Sequence, residues 1–172
     1  MIYPWRMTVA DFEKQPRGPR LFERWIGQQR ITTSLGSFSI ELHMGNDDTD
    51  PPDEEMLKRA TELVSYTESH GDAILDIVFG HYLLTAEDRY WLEDCGVPRG
   101  VTRNRIAEYV RPDRSLVVAR HVSSDQPYSS SIYVVPLWDE EHALALDFAN
   151  GEIISANDSR FRLEADVLRW VD

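Results

Sequence analysis

The sequence predicts an α+β domain, a mainly antiparallel sheet with a helical block of two to three helices inserted between its N-terminal and C-terminal strands. Three observations carry this. Residues 37–44 and 143–148 alternate apolar and polar side chains with period two, as a half-buried strand does. Residues 56–67 repeat apolar side chains every three or four positions, as an amphipathic helix does. Asn150-Gly151 lies between two strand-like runs and supplies the positive φ of a tight primed hairpin turn. A chain of 172 residues, 42% hydrophobic and 28% charged, fits a single domain over 1–172 that buries its core without staples.

The elements follow in order. Residues 1–20 hold Pro4, Pro16, Gly18 and Pro19 with no sustained period, and are expected to form an irregular lead-in draped on the core through Trp5 and Phe12. Leu21–Ile26 and Gln29–Leu35 read as two short strands around Gly27. Ser37–Met44 is a clearer strand, with Phe38, Ile40, Leu42 and Met44 on one face. The stretch NDDTDPPDEE then leads into a helix expected over Pro51–Ser69. Asp50 is placed to cap it, Pro51 to take the first position, and Asp53, Glu54 and Glu55 to face the positive end of its dipole. Gly71 is expected to stop it.

A second helix is predicted over Asp72–Leu84, burying Ile74, Ile77, Val78 and His81 or Tyr82. Thr85–Asp88 resembles a capping box for a third, short helix with Tyr90, Trp91 and Leu92, closed by Gly96 and Pro98. RGVTRNRIAEYV is open between a helix capped by Thr102 and a strand. Pro112-Asp113-Arg114 signals a turn, and Ser115–Val122 reads as a strand. Ser131–Ala156 reads as two or three antiparallel strands with an acidic turn between the first two, and Arg160–Val171 as a closing helix. Phe38, Ile40, Leu63, Ile77, Val117, Val134, Leu144 and Leu146 are the expected core.

Charge narrows the function. The net charge is −12, and residues 46–94 carry three Lys and Arg against fourteen Asp and Glu, or −11. Such a potential repels nucleic acid and anionic lipid and steers cationic partners inward. Cys95 is the single cysteine, which leaves no internal disulfide framework and no multi-cysteine zinc site. The first residues lack the apolar run of a secretory signal, and no run of about 18 apolar residues is long enough to span a bilayer. The expected compartment is the cytoplasm. The sequence sets no oligomeric state.

Motif chemistry yields no catalytic residue, metal ligand or cofactor. An EF-hand loop needs glycine at its sixth position, and counting from Asp48 the fifth and sixth positions are Pro52 and Asp53. The acidic stretch Asp47, Asp48, Asp50, Asp53, Glu54 and Glu55 therefore reads as a solvated helix N-terminus or a recognition surface. Trp138-Asp139-Glu140-Glu141-His142 gathers carboxylates and an imidazole, but consecutive residues of a turn diverge, so the expectation is a turn with Trp138 packed at a sheet edge. No G-x-S-x-G elbow and no phosphate-binding glycine loop occurs. The arginines of 99–120 either gather as an anion patch or pair with the acidic helical block, and the charge balance favours pairing.

The run Trp138–His142, followed by an alternating strand and Asn150-Gly151-Glu152-Ile153, resembles a group of uncharacterised bacterial domains ending in W-D-x-E-H-G, a strand and a glycine turn. Ala143 stands where that group prefers glycine. Several members look like immunity proteins encoded beside polymorphic toxins. The resemblance implies no catalytic residue. Two classes remain: an acidic, non-enzymatic domain that binds a basic protein partner through Asp47–Glu55 and the Trp138–His142 turn, or a small enzyme or ligand-binding domain with a pocket between sheet and helices using His81, Tyr82 or His142.

Overall fold

The computed structural model describes residues 6–15, 23–45, 48–86, 89–121, 124–139, 143–156, 161–164 and 167–170. One sheet runs through β1 (Phe12–Gln15), β2 (Arg24–Gly27), β4 (Gly36–His43), β5 (Arg114–Arg120), β6 (Tyr128–Val134), β7 (Leu144–Ala149), β8 (Glu152–Ala156), β9 (Phe161–Glu164) and β10 (Val167–Trp170). Strand β3 (Ile31–Thr33) also pairs with β4. Neighbouring strands are antiparallel except β4 and β5, which run parallel. The reason is the connection: α1 (Glu54–Ser69), α2 (Gly71–Thr85), α3 (Arg89–Asp94) and a 3-10 helix at Arg103–Tyr109 lie between them, long enough to bring the chain back in the same direction.

The helices bury one face of the sheet. Phe38, Ile40 and Leu42 of β4 stand beside Arg114, Leu116 and Val118 of β5, then Ile132 of β6 and Leu146 of β7. These apolar side chains join Met56, Ala60, Leu63 and Val64 of α1 and Ile74, Val78 and Tyr82 of α2 in one core. All eight residues expected in the core are buried. Val117 lies on the other face, in a row with Glu41, Ser131, Asp147 and Ser155. There Ser131 and Ser155 donate to Asp147 at 3.0 and 2.7 Å. Glu41 meets His43 at 2.9 Å, and that hydrogen bond holds its carboxyl below the usual range despite burial.

Several boundaries differ from expectation. Helix α1 starts at Glu54, with Asp53 as its cap through a 2.9 Å bond from the Met56 N–H. Pro52 forces Pro51 out of helical geometry, so neither Pro51 nor Asp50 takes the expected place. Gly71 opens α2 instead of closing α1 alone, and a Cβ there would stand 3.2 Å from the Thr33 Cβ. Thr85 ends α2 and donates to the His81 carbonyl at 3.1 Å, while Glu87 and Asp88 of the expected capping box lie outside the described residues. The lead-in is partly regular: Val9–Asp11 is a 3-10 turn, and β1 pairs with β2 with Phe12 buried. Trp5 lies outside the described residues. The ambiguous arginine stretch is the 3-10 helix, with Thr102 at its cap position but making no side-chain cap bond.

The closing helix is the clearest miss. Residues 161–164 and 167–170 form an antiparallel hairpin that extends the sheet beyond β8. Phe161-Arg162-Leu163-Glu164 alternates with period two, a signal stronger than the loose helical spacing of the same segment. The Asn150-Gly151 turn is as expected, with φ of 54° and 84°.

Ala143, at the start of β7, has φ of 51°. An L-residue in that region costs about 1–2 kcal/mol, and a glycine adds back about 0.4–1 kcal/mol of unfolded-chain entropy. Ala143→Gly is therefore expected to raise the unfolding free energy by about 0.5–1 kcal/mol in urea denaturation. A lowered midpoint would show that the methyl group makes a contact worth more than the strain.

Candidate recognition surface

The acidic stretch is organised from inside by an arginine of the sheet. Arg120 ends β5, and its guanidinium grips Asp48 with both oxygens, Nε to Oδ2 at 2.6 Å and Nη2 to Oδ1 at 2.9 Å. Nη1 donates to Asp53 Oδ2 at 2.7 Å and to the Pro51 carbonyl at 3.4 Å, and Nη2 reaches the Asp50 carbonyl at 3.2 Å. All five N–H donors of the fork thus meet oxygen. Tyr128, paired with Arg120 across the β5–β6 ladder, donates to the same Asp53 oxygen at 2.7 Å.

The electrostatics follow. Hydrogen bonds from Arg120 hold the Asp48 carboxyl below its ordinary range. Burial opposes ionisation of Asp53 but is outweighed by bonds from the Met56 N–H, Tyr128 and Arg120, so its carboxyl is also held low. Asp48 and Asp53 are therefore internal ligands as well as members of an acidic surface. Asp50 and Glu54 are exposed, Glu54 facing Arg6. Glu55 accepts from Arg59 at 2.7 Å, and Asp47 lies outside the described residues. Arg103 of the crossover binds Asp76 and approaches Asp72 at 3.7 Å, so a second arginine of the same block also pairs with the acidic helices. Arg114 turns inward and donates to the Ala107 and Val110 carbonyls, its fork passing where a side chain on Gly36 would stand.

Trp138 is fully buried, not packed at an edge. Its indole N–H donates to His81 Nδ1 at 2.8 Å. Indole is a donor only, so Nδ1 presents its lone pair and the imidazole is neutral with its proton on Nε2. Nε2 stands 3.8 Å from Asp139 Oδ2, beyond direct hydrogen-bond range. Burial pushes His81 down to about 4, with the Asp139 charge acting the other way. Tyr82 meets Trp138 edge-on at 5.5 Å, donates to the Pro98 carbonyl at 2.9 Å and accepts from the Val101 N–H at 3.1 Å. His81 and Tyr82 thus knit the core. Glu140 and His142 lie outside the described residues, and Asp139 is half-buried.

A groove of about 890 Å³ lies between α1 and the ends of β6, β7 and β8, and contains neither His81 nor Tyr82. Sequence reasoning identified the acidic stretch and favoured its pairing with the arginines of 99–120, as Arg120 and Arg103 do, but it missed Tyr128, whose only signal is an aromatic opening the next strand. Among the described residues no group of three or more His, Cys, Asp or Glu side chains is placed to hold a metal ion. No described helix is long and apolar enough to cross a membrane.

Residues 16–160, from before β2 to beyond β8, match a family described as a domain of unknown function, DUF6985, and the chain belongs to it. No curated protein and no solved structure matches the chain.

Proposed function

We propose that this member of the DUF6985 family is a non-enzymatic, acidic protein-binding domain of the cytoplasm, immunity-like in that it neutralises a basic partner such as a toxin. The supporting observation is the charge left over after internal pairing. Residues 46–94 carry −11; Asp48 and Asp53 pair with Arg120, Asp72 and Asp76 with Arg103, and Glu54, Glu62 and Glu93 each meet a surface cation, which leaves Asp50, Glu68 and Asp94 exposed with no ion pair among the described residues. Carboxylates held at a surface in this number draw a cationic surface in by long-range attraction.

The test is association kinetics with a partner captured at low salt and then purified. The on-rate is expected to fall about tenfold or more as salt is raised past the screening range. Asp50→Lys, Glu54→Lys and Glu68→Lys together are expected to slow it by a similar factor at low salt. Asp53 is left intact, because it caps α1 and binds Arg120. An unchanged on-rate at low salt in a folded triple variant would reject the acidic surface as the recognition element.

A further inference from the structure

We infer that the groove between α1 and β6–β8 seats a segment of the protein partner that carries a Lys or Arg side chain beside an apolar one. This rests on the protein-binding reading and says where the partner anchors. At about 890 Å³ the groove has the size of a recognition pocket, and exposed Lys58, Glu62, Asp125, Gln126 and Pro127 in its lining open it to solvent, as an entering chain segment requires.

Its floor offers an unused polar group. Ser130 lines the groove, and its hydroxyl, which solvent reaches, hydrogen-bonds to no side chain or backbone group of the described residues. Beside it lie buried Phe148 and half-buried Tyr128. At the rim Ile154 is 51% exposed, one of three large apolar side chains so placed among the described residues. A solvent-reached hydroxyl next to an aromatic floor and an exposed isoleucine suits an amide backbone with an apolar side chain.

The walls select the charge. Among the lining residues Glu55, Glu62, Asp125 and Asp147 stand against Lys58 and Arg59, a net of −2 that falls to −1 without Asp147, whose row lies on the sheet's other face. Arg59 is already held by Glu55 at 2.7 Å and lies 5.4 Å over the Tyr128 ring. Lys58 sits 3.8 Å from Glu55 and 4.0 Å from Glu62, so both cations are spoken for within the walls. Asp147 is occupied by two serines of the sheet's other face. Exposed Asp125 on the opposite loop is left to meet an incoming cation, with exposed Glu62, 4.0 Å from Lys58, across from it on the helix wall, and both repel a phosphate or carboxylate. Tyr128 joins the groove to the Arg120 clasp through its bond to Asp53, so the acidic helical surface and the groove are continuous.

The test titrates the full ¹⁵N-labelled chain with acetyl-Gly-Arg-Leu-Arg-Gly-amide, with its Glu-for-Arg counterpart and with free arginine amide. The arginine peptide is expected to give saturable shifts centred on the amides of Ser130, Phe148, Gly151 and Ile154, and the glutamate peptide none. Glu62→Lys with Ile154→Glu, both at exposed positions, is expected to weaken binding about tenfold or more. Ser130→Ala, which removes only the hydroxyl oxygen, is expected to weaken it about threefold while unfolding as the parent does. Shifts confined to the helical surface, absence of saturation, or equal binding of the glutamate peptide would overturn the groove as the seat. Equal binding of arginine amide would overturn a chain segment as its occupant. Groove binding that survives in the Asp50→Lys, Glu54→Lys, Glu68→Lys variant, whose partner on-rate is unchanged, would remove the steering surface and leave the groove standing.

Discussion

Replacing Arg120 with methionine is expected to lower the unfolding free energy by about 2–4 kcal/mol in urea, a large share of the stability of a domain this size. The guanidinium is 14% exposed and carries five contacts to two carboxylates and two carbonyls. Methionine keeps the stem's packing and removes all five. Asp48, 8% exposed at its side chain, is then left as a charge without its counterion, which is the expensive part of breaking such a pair. Two further variants separate charge from fork. Arg120→Lys keeps the charge, loses bidentate geometry and should fall between parent and Arg120→Met. Asp48→Asn in the Arg120→Met background should recover part of the loss, because it removes the stranded charge. A loss under about 0.5 kcal/mol in Arg120→Met would mean that the loop re-solvates freely and that the clasp is only a surface ion pair.

The clasp also shows where sequence reading stops. Alternation placed β4 and the β7–β8 hairpin because a period of two is a property of neighbouring residues, and Asn150-Gly151 because positive φ is a property of two residues. Helix α1 was legible for the same reason, but its first residue was not, since a local choice between Asp50 and Asp53 as cap is decided by Pro52 and by Arg120 from 67 residues away. The parallel pairing of β4 with β5 has no local signature. Composition revealed an acidic stretch without revealing that two of its carboxylates face inward. The Trp138–His142 run was conspicuous in sequence, yet its defining contact lies with a histidine 57 positions earlier. The β9–β10 hairpin was misread because the alternation of Phe161–Glu164 covers only four residues, while Phe161, Val167, Leu168 and Val171 also fit a loose helical spacing over the whole segment.

The histidine gives the second large effect: stability is expected to fall by about 3 kcal/mol between pH 7 and pH 4 through His81 alone. Its folded value is depressed to about 4 from the ordinary 6.5. Below pH 6.5 the unfolded chain takes up a proton that the folded protein refuses, so stability is full above that point. It is lost as pH falls, and the loss levels off near pH 4, where the folded histidine is protonated too. Asp48, Asp53 and Glu41, whose folded values are lowered, lose their contributions only further down, as pH falls through the carboxylate range. The interval from pH 6.5 to 5 therefore separates the histidine from these carboxylates. His81→Gln keeps an acceptor for the Trp138 indole and does not titrate, so over that interval the parent should lose about 1 kcal/mol per pH unit more than the variant. Equal slopes in parent and variant would assign the loss to another group. The physical consequence of protonation is specific: Nδ1 becomes a donor facing the indole donor, two N–H groups then point at each other across 2.8 Å, and the tie between α2 and the Leu137–Asp139 turn is broken.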